Sequence, residues 1–89
     1  MASMIVQHTV KDYAQWKIGF DSSLSMRKSG GEISAQIYRD STDPNKLTIV
    51  NKWESMDSAH KFALSPELKA GMEKAGVVGM PTFSFVNEA

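Results

Sequence analysis

The chain has 89 residues, with ten Lys and Arg balanced by ten Asp and Glu, no cysteine, 42% hydrophobic and 22% charged residues. That length supports one small domain and one core, and zero net charge argues against holding nucleic acid or an anionic membrane by bulk charge. The missing cysteines exclude disulfide scaffolds, thiolate metal sites and cysteine nucleophiles, and the composition is that of an ordered globular protein.

No apolar run approaches the roughly 18 residues of a transmembrane helix. The start, Met1-Ala2-Ser3-Met4, lacks the charged and apolar regions of a signal peptide. A soluble cytoplasmic protein is therefore expected. Met1 to Ser3 read as an expression remnant or a disordered start, and residues 4–89 as a single domain.

Met4 to Val10 is rich in β-branched residues and predicts a strand with Val6, His8 and Val10 on one face and Ile5, Gln7 and Thr9 on the other. Asp12 then has the character of a helix N-cap, with Gln15 at capping-box spacing. Tyr13, Trp16, Phe20 and Leu24 recur at three- and four-residue steps, which predicts one helix over Asp12–Ser29. Arg27 and Lys28 fall in its last turn, where cations favour the helix dipole, and Gly30-Gly31 ends it. Ile33, Ala35 and Ile37 alternate with Ser34, Gln36 and Tyr38 in a second strand. Asp40 to Asn45 is dense in turn formers. Leu47, Ile49, Asn51 and Trp53 then alternate with Thr48, Val50 and Lys52, completing an antiparallel hairpin with a long turn.

Ser55 can cap a helix that buries Met56, Ala59, Phe62 and Ala63. Ser65-Pro66-Glu67 restarts a helix with an N-cap, proline at the first position and an acid in the first turn. Leu68, Met72 and Ala75 form its apolar stripe, and Gly76 ends it. Thr82 to Val86, following Pro81, reads as a short last strand.

Strand, helix, strand, strand, broken helix, strand is the order of the α+β, ferredoxin-like split β-α-β arrangement, a four-stranded antiparallel sheet with helices on one face. Its other face would expose Ile5, Val50 and either the Phe-bearing or the Val-bearing set of the last strand. A second copy is expected to cover that face.

No phosphate loop, dinucleotide turn, nucleophile elbow or zinc-binding helix motif is present. His8 and His60 lie in separate elements, and no metal site is expected. One constellation does stand out. The first and third strands are read as side by side and parallel, so that their C-terminal ends meet. Parity then puts His8, Asn51 and Trp53 on the apolar faces turned toward the helices, where polar groups need partners. The plainer readings stay open: a satisfied strand histidine at His8, a local backbone bridge at Asn51, core tryptophans at Trp16 and Trp53, and gap-filling Met56 and Met72.

Val10-Lys11-Asp12-Tyr13, Trp16-Lys17, Phe20-Asp21 and Met26-Arg27-Lys28, followed by Gly30-Gly31, resemble the opening of small proteins in the antibiotic biosynthesis monooxygenase superfamily. The resemblance continues through Asp43-Pro44-Asn45, Trp53-Glu54-Ser55, Ser65-Pro66, Met72 and Ala75-Gly76-Val77, spanning Met4 to Val86. It implies a dimeric α/β barrel, a homodimer joined through the sheet faces. It also implies a cofactor-independent monooxygenase acting on a hydrophobic aromatic small molecule, with no nucleic acid or membrane partner. His8, Asn51 and Trp53 are then the catalytic candidates, and Tyr13, Trp16, Phe20, Phe62 and Met72 the substrate pocket. The tryptophan ending the third strand matches the family as Trp53. Haem-degrading relatives carry an asparagine where His8 stands and a haem-ligating histidine where this chain has Met72, so no cofactor is expected. The alternative is a non-catalytic protein of the same fold, one that binds a small ligand or is purely structural.

Overall fold

A computed structural model describes residues Met1–Ala89. The elements are β1 (Ala2–Val10), α1 (Tyr13–Ser22), α2 (Leu24–Ser29), β2 (Glu32–Arg39), β3 (Lys46–Trp53), α3 (Met56–Ala63), α4 (Pro66–Lys74) and β4 (Val77–Asn87). The strands form one sheet in the order β2-β3-β1-β4, every neighbouring pair antiparallel. This is the α+β, ferredoxin-like arrangement expected from the order of elements. None of its helices is long and apolar enough to cross a membrane.

The helix starts follow the capping residues. The Asp12 carboxylate accepts from the Gln15 amide at 3.2 Å, the Ser55 hydroxyl from Ser58 at 3.1 Å and the Ser65 hydroxyl from Leu68 at 3.2 Å. Each satisfies one backbone donor that the first turn leaves free. In the β2–β3 turn, the Asp40 carboxylate accepts from the Thr42 amide and hydroxyl and from the Asp43 amide. Those bonds, the Thr42 side chain foremost, hold the Asp40 carboxyl below its ordinary pKa.

Four expectations change. The helix expected over Asp12–Ser29 is two helices, because the Ser23 hydroxyl donates to the Phe20 carbonyl at 2.8 Å and competes with the helical ladder. The break leaves Leu24 exposed and turns Arg27 inward. β1 begins at Ala2, and Ala2 and Ser3 are buried in pairings with β3 and β4, so the start is ordered in the sheet. In β2 the register shifts between Glu32 and Ser34, which puts Ile33 at the surface and Glu32 inside. Finally, β4 runs over eleven residues and contains Pro81. It lies at the sheet edge, where a missing N–H is tolerated, and its register shifts where Gly79, Met80 and Pro81 pass Gln7 and Thr9. Gly79 has φ +74 there, a conformation glycine adopts at little cost.

Directly opposed residues of antiparallel strands share a face. Phe83 and Phe85 stand opposite Val6 and Met4, so the Phe-bearing set of β4 faces the helices and Val86 faces away. The core lies between that inner face and the helices, built from Met4, Val6, Val10, Trp16, Leu47, Ile49, Trp53, Ala59 and Phe62.

Candidate functional site

A cavity of about 100 Å³ lies between the inner face of the sheet and the helices. Met4, Val6 and His8 of β1 and Ile49 and Asn51 of β3 form its floor. Trp16 and Phe20 of α1, Phe62 of α3, and Leu68 and Met72 of α4 form its walls. Ser23, Arg27 and Glu67 supply the remaining polar groups. A second depression between α4 and β4, lined by Leu64, Met80 and Phe83 among others, contains none of the molecule's unpartnered buried polar atoms.

Those unpartnered atoms are His8 Nδ1, Asn51 Oδ1 and Trp53 Nε1. Leaving such a group buried without a partner costs about 1–3 kcal/mol, so each calls for an account. All three belong to the residues that strand parity singled out.

His8 reaches the cavity because its strand alternates, placing it with Val6 and Val10 on the buried face. Its ring meets Trp16 edge-on with centroids 5.7 Å apart. Burial disfavours the charged imidazolium and lowers the His8 pKa below the usual histidine value. A neutral imidazole in an apolar site is a proton acceptor at neutral pH.

Asn51 is 3% exposed and belongs to a polar chain that the sequence reading missed. Its Nδ2 donates to Glu32 Oε2 at 2.6 Å, while Glu32 Oε1 accepts from Arg27 Nη1 at 2.5 Å. Arg27 also donates to the Phe20 carbonyl at 2.8 Å and to the Ser23 hydroxyl at 3.1 Å, and its guanidinium lies 3.8 Å from the Phe20 ring centroid. Two backbone irregularities assemble the chain: the break at Ser23 and the shifted register after Glu32. Gly31 between them has φ +106, and a Cβ there would meet Ser58 at 3.1 Å. In the sequence, the available signal was a charged residue on each side of Gly30-Gly31 and an amide on an apolar strand face.

The meeting of strand ends expected for His8, Asn51 and Trp53 does not occur. β1 and β3 are antiparallel, with His8 opposite Leu47, Met4 opposite Asn51 and Ala2 opposite Trp53. His8 is therefore four steps along the ladder from Asn51 and six from Trp53, roughly 13 and 20 Å. His8 and Asn51 both line the cavity, four ladder steps apart, together with Trp16, Phe20, Phe62 and Met72. Trp53 is fully buried, packs against Phe62 with centroids 4.8 Å apart and rings tilted by 38°, and does not line the cavity. Tyr13 also lies outside it, with the Arg39 guanidinium 3.9 Å from its ring centroid. No group of three or more His, Cys, Asp or Glu residues is placed to hold a metal ion.

The backbone is similar to several solved structures. A Bordetella bronchiseptica protein assigned to the antibiotic biosynthesis monooxygenases superposes with a TM-score of 0.81 at 16% identity, covering 99% of this chain and 96% of that one. SnoaB, a cofactor-independent oxygenase from Streptomyces nogalater, superposes with a TM-score of 0.76 at 12% identity over 99% of this chain and 92% of its own. A conserved protein from Methanosarcina mazei gives 0.75 at 16% identity over 100% of this chain and 94% of its own. At such identities the likeness concerns the fold alone. No curated protein matches the sequence. The family model for antibiotic biosynthesis monooxygenases matches residues 20–74, well over half of the chain, and the chain belongs to that family.

Proposed function

We propose that the protein is a cofactor-independent monooxygenase acting on a hydrophobic aromatic small molecule held between His8 and Asn51. The observation that carries this reading is an apolar, ring-lined cavity with an unpartnered buried polar atom on each of these two lining residues. Family membership and the fold shared with SnoaB support the reaction class. The substrate is its own reductant. His8 Nδ1 takes a proton from an activated ring carbon, and the resulting carbanion passes electrons to dioxygen. One oxygen atom stays on that carbon as a carbonyl, and the other leaves as water with the carbon's two hydrogens. Asn51 orients the substrate, while Trp53 supports the fold from the core.

The cavity is smaller than the roughly 300–1,000 Å³ common for drug-sized ligands. It suits a single ring, and a larger substrate requires one wall to yield. Helix α4 is the weakest wall, since none of its residues is buried. The modest volume also favours the second reading, a non-catalytic protein of this fold.

The homodimer belongs to the same proposal. Helices cover one face of the sheet only, leaving Ile5 and Val50 half-buried and Tyr38 and Val86 exposed on the other. A second copy meeting that face removes this apolar surface from water. We place the protein in the cytoplasm, in keeping with a chain free of cysteine.

Oxygen uptake with a panel of quinols and anthrones, without added cofactor, tests the reading. Wild type should consume oxygen in a substrate-dependent way, His8→Ala should lose about 10²–10⁴ in rate, and Trp53→Phe should stay near wild type. Ligand binding without oxygen uptake would favour the second reading.

A further inference from the structure

The two oxygens of Glu32 have different partners: Oε1 accepts from Arg27 and Oε2 from Asn51. A carboxylate in an ion pair offers acceptors only, so the Asn51 amide must turn its nitrogen toward it. Its oxygen is thereby turned away from Glu32, buried and without a partner, in a residue that lines the cavity. We propose that Glu32 is a positioning residue that fixes Asn51 as a hydrogen-bond acceptor. The site thereby selects a neutral ligand bearing an O–H or N–H over the same ligand with that hydrogen replaced by methyl. This deepens the proposed function and rests on the cavity being the substrate site.

The selected ligand is neutral because no free cation awaits an anion. Arg27 is matched by Glu32, and its other recorded bonds go to the Phe20 carbonyl and the Ser23 hydroxyl. The one charged lining group without an ion pair is Glu67, which repels anions.

The geometry also requires an inversion. In Glu32→Gln, Arg27 still needs an acceptor and takes the new amide oxygen, leaving the glutamine –NH₂ toward Asn51. Asn51 then turns its own oxygen to meet that group and presents –NH₂ to the cavity. A site that selected donors becomes one that selects acceptors.

Phenol and anisole, single-ring molecules differing by one methyl on oxygen, are the probes, with toluene as the apolar reference. Affinities are measured by calorimetry on the intact protein. A cavity that only buries apolar surface prefers anisole, which carries the additional methyl. The expected wild-type result is phenol tighter than anisole by about tenfold, the worth of one buried hydrogen bond. In Glu32→Gln anisole should equal or exceed phenol, and in Asn51→Leu the preference for phenol should vanish.

If anisole and toluene bind and phenol binds no tighter in wild type, the role of Glu32 is overturned while the cavity stands. If none of the three binds, the cavity reading falls and this inference with it. A folded Glu32→Gln that keeps the wild-type ratio would also overturn the inference. Should that variant not fold, the wild-type ratio and Asn51→Leu decide alone.

Discussion

His8 holds an imidazole in the folded protein whose charged form is disfavoured by burial. Its folded pKa lies below the unfolded value of about 6.5, so the folded state binds fewer protons than the unfolded chain. The stability linked to this group is therefore complete above about pH 6.5 and declines as pH falls through that value toward the folded pKa. Urea unfolding across this range should show a smaller acid loss for His8→Gln than for wild type. In the proposed reaction the same shift would keep His8 neutral in mildly acidic solution, so the acid limb of kcat/KM should lie below the usual histidine range. An acid limb above it would assign the proton transfer to another group. His8 and Asn51 were legible in the sequence because each is a polar residue at inward parity on an apolar strand. Their separation was misread: reading the first and third strands as parallel conflicts with the antiparallel sheet expected from the order of elements, in which they run oppositely. The register that sets the distance is not given by alternation within one strand.

At the scale of elements, the capping residues and turn formers marked the ends of most segments, and in the structure Asp12, Ser55 and Ser65 cap α1, α3 and α4. What escaped was irregular: the break at Ser23, the register shift after Glu32 and the passage of β4 through Pro81. Each is settled by tertiary partners rather than by propensity. The first two place Arg27 and Glu32 together, with side chains 5% and 3% exposed. Buried pairs of this kind cost much when halved and little when replaced whole. Glu32→Ala should lower the unfolding free energy by about 3–5 kcal/mol, because it strands the Arg27 charge. The double replacement Arg27→Met with Glu32→Leu should recover part of that loss in denaturant unfolding, since no charge is stranded although the buried Asn51 Nδ2 still loses its acceptor. If the two versions unfold alike, the pair is not coupled as described.

Over the whole molecule, a sheet with helices on one face explains both the site and the expected assembly. The covered face supplies the core and the cavity, and the open face is the one that the proposed second copy would cover. Val50 lies near the middle of that open face, in register with Ile5 and Gln36. Val50→Asp would bury an unpaired charge in the dimer, at a cost of several kcal/mol. Light scattering should show a wild-type mass near twice that of the chain and a Val50→Asp mass near that of one chain. A wild-type monomer would remove the sheet-face dimer. In the proposed reaction, dioxygen splits its atoms between substrate and water, with His8 as the base and no added cofactor. Turnover under isotopically labelled dioxygen, followed by mass spectrometry of the product, is the test. One labelled oxygen atom per product molecule is expected with wild type and almost none with His8→Ala. A product labelled equally by both proteins, or one whose new oxygen comes from water, would contradict it.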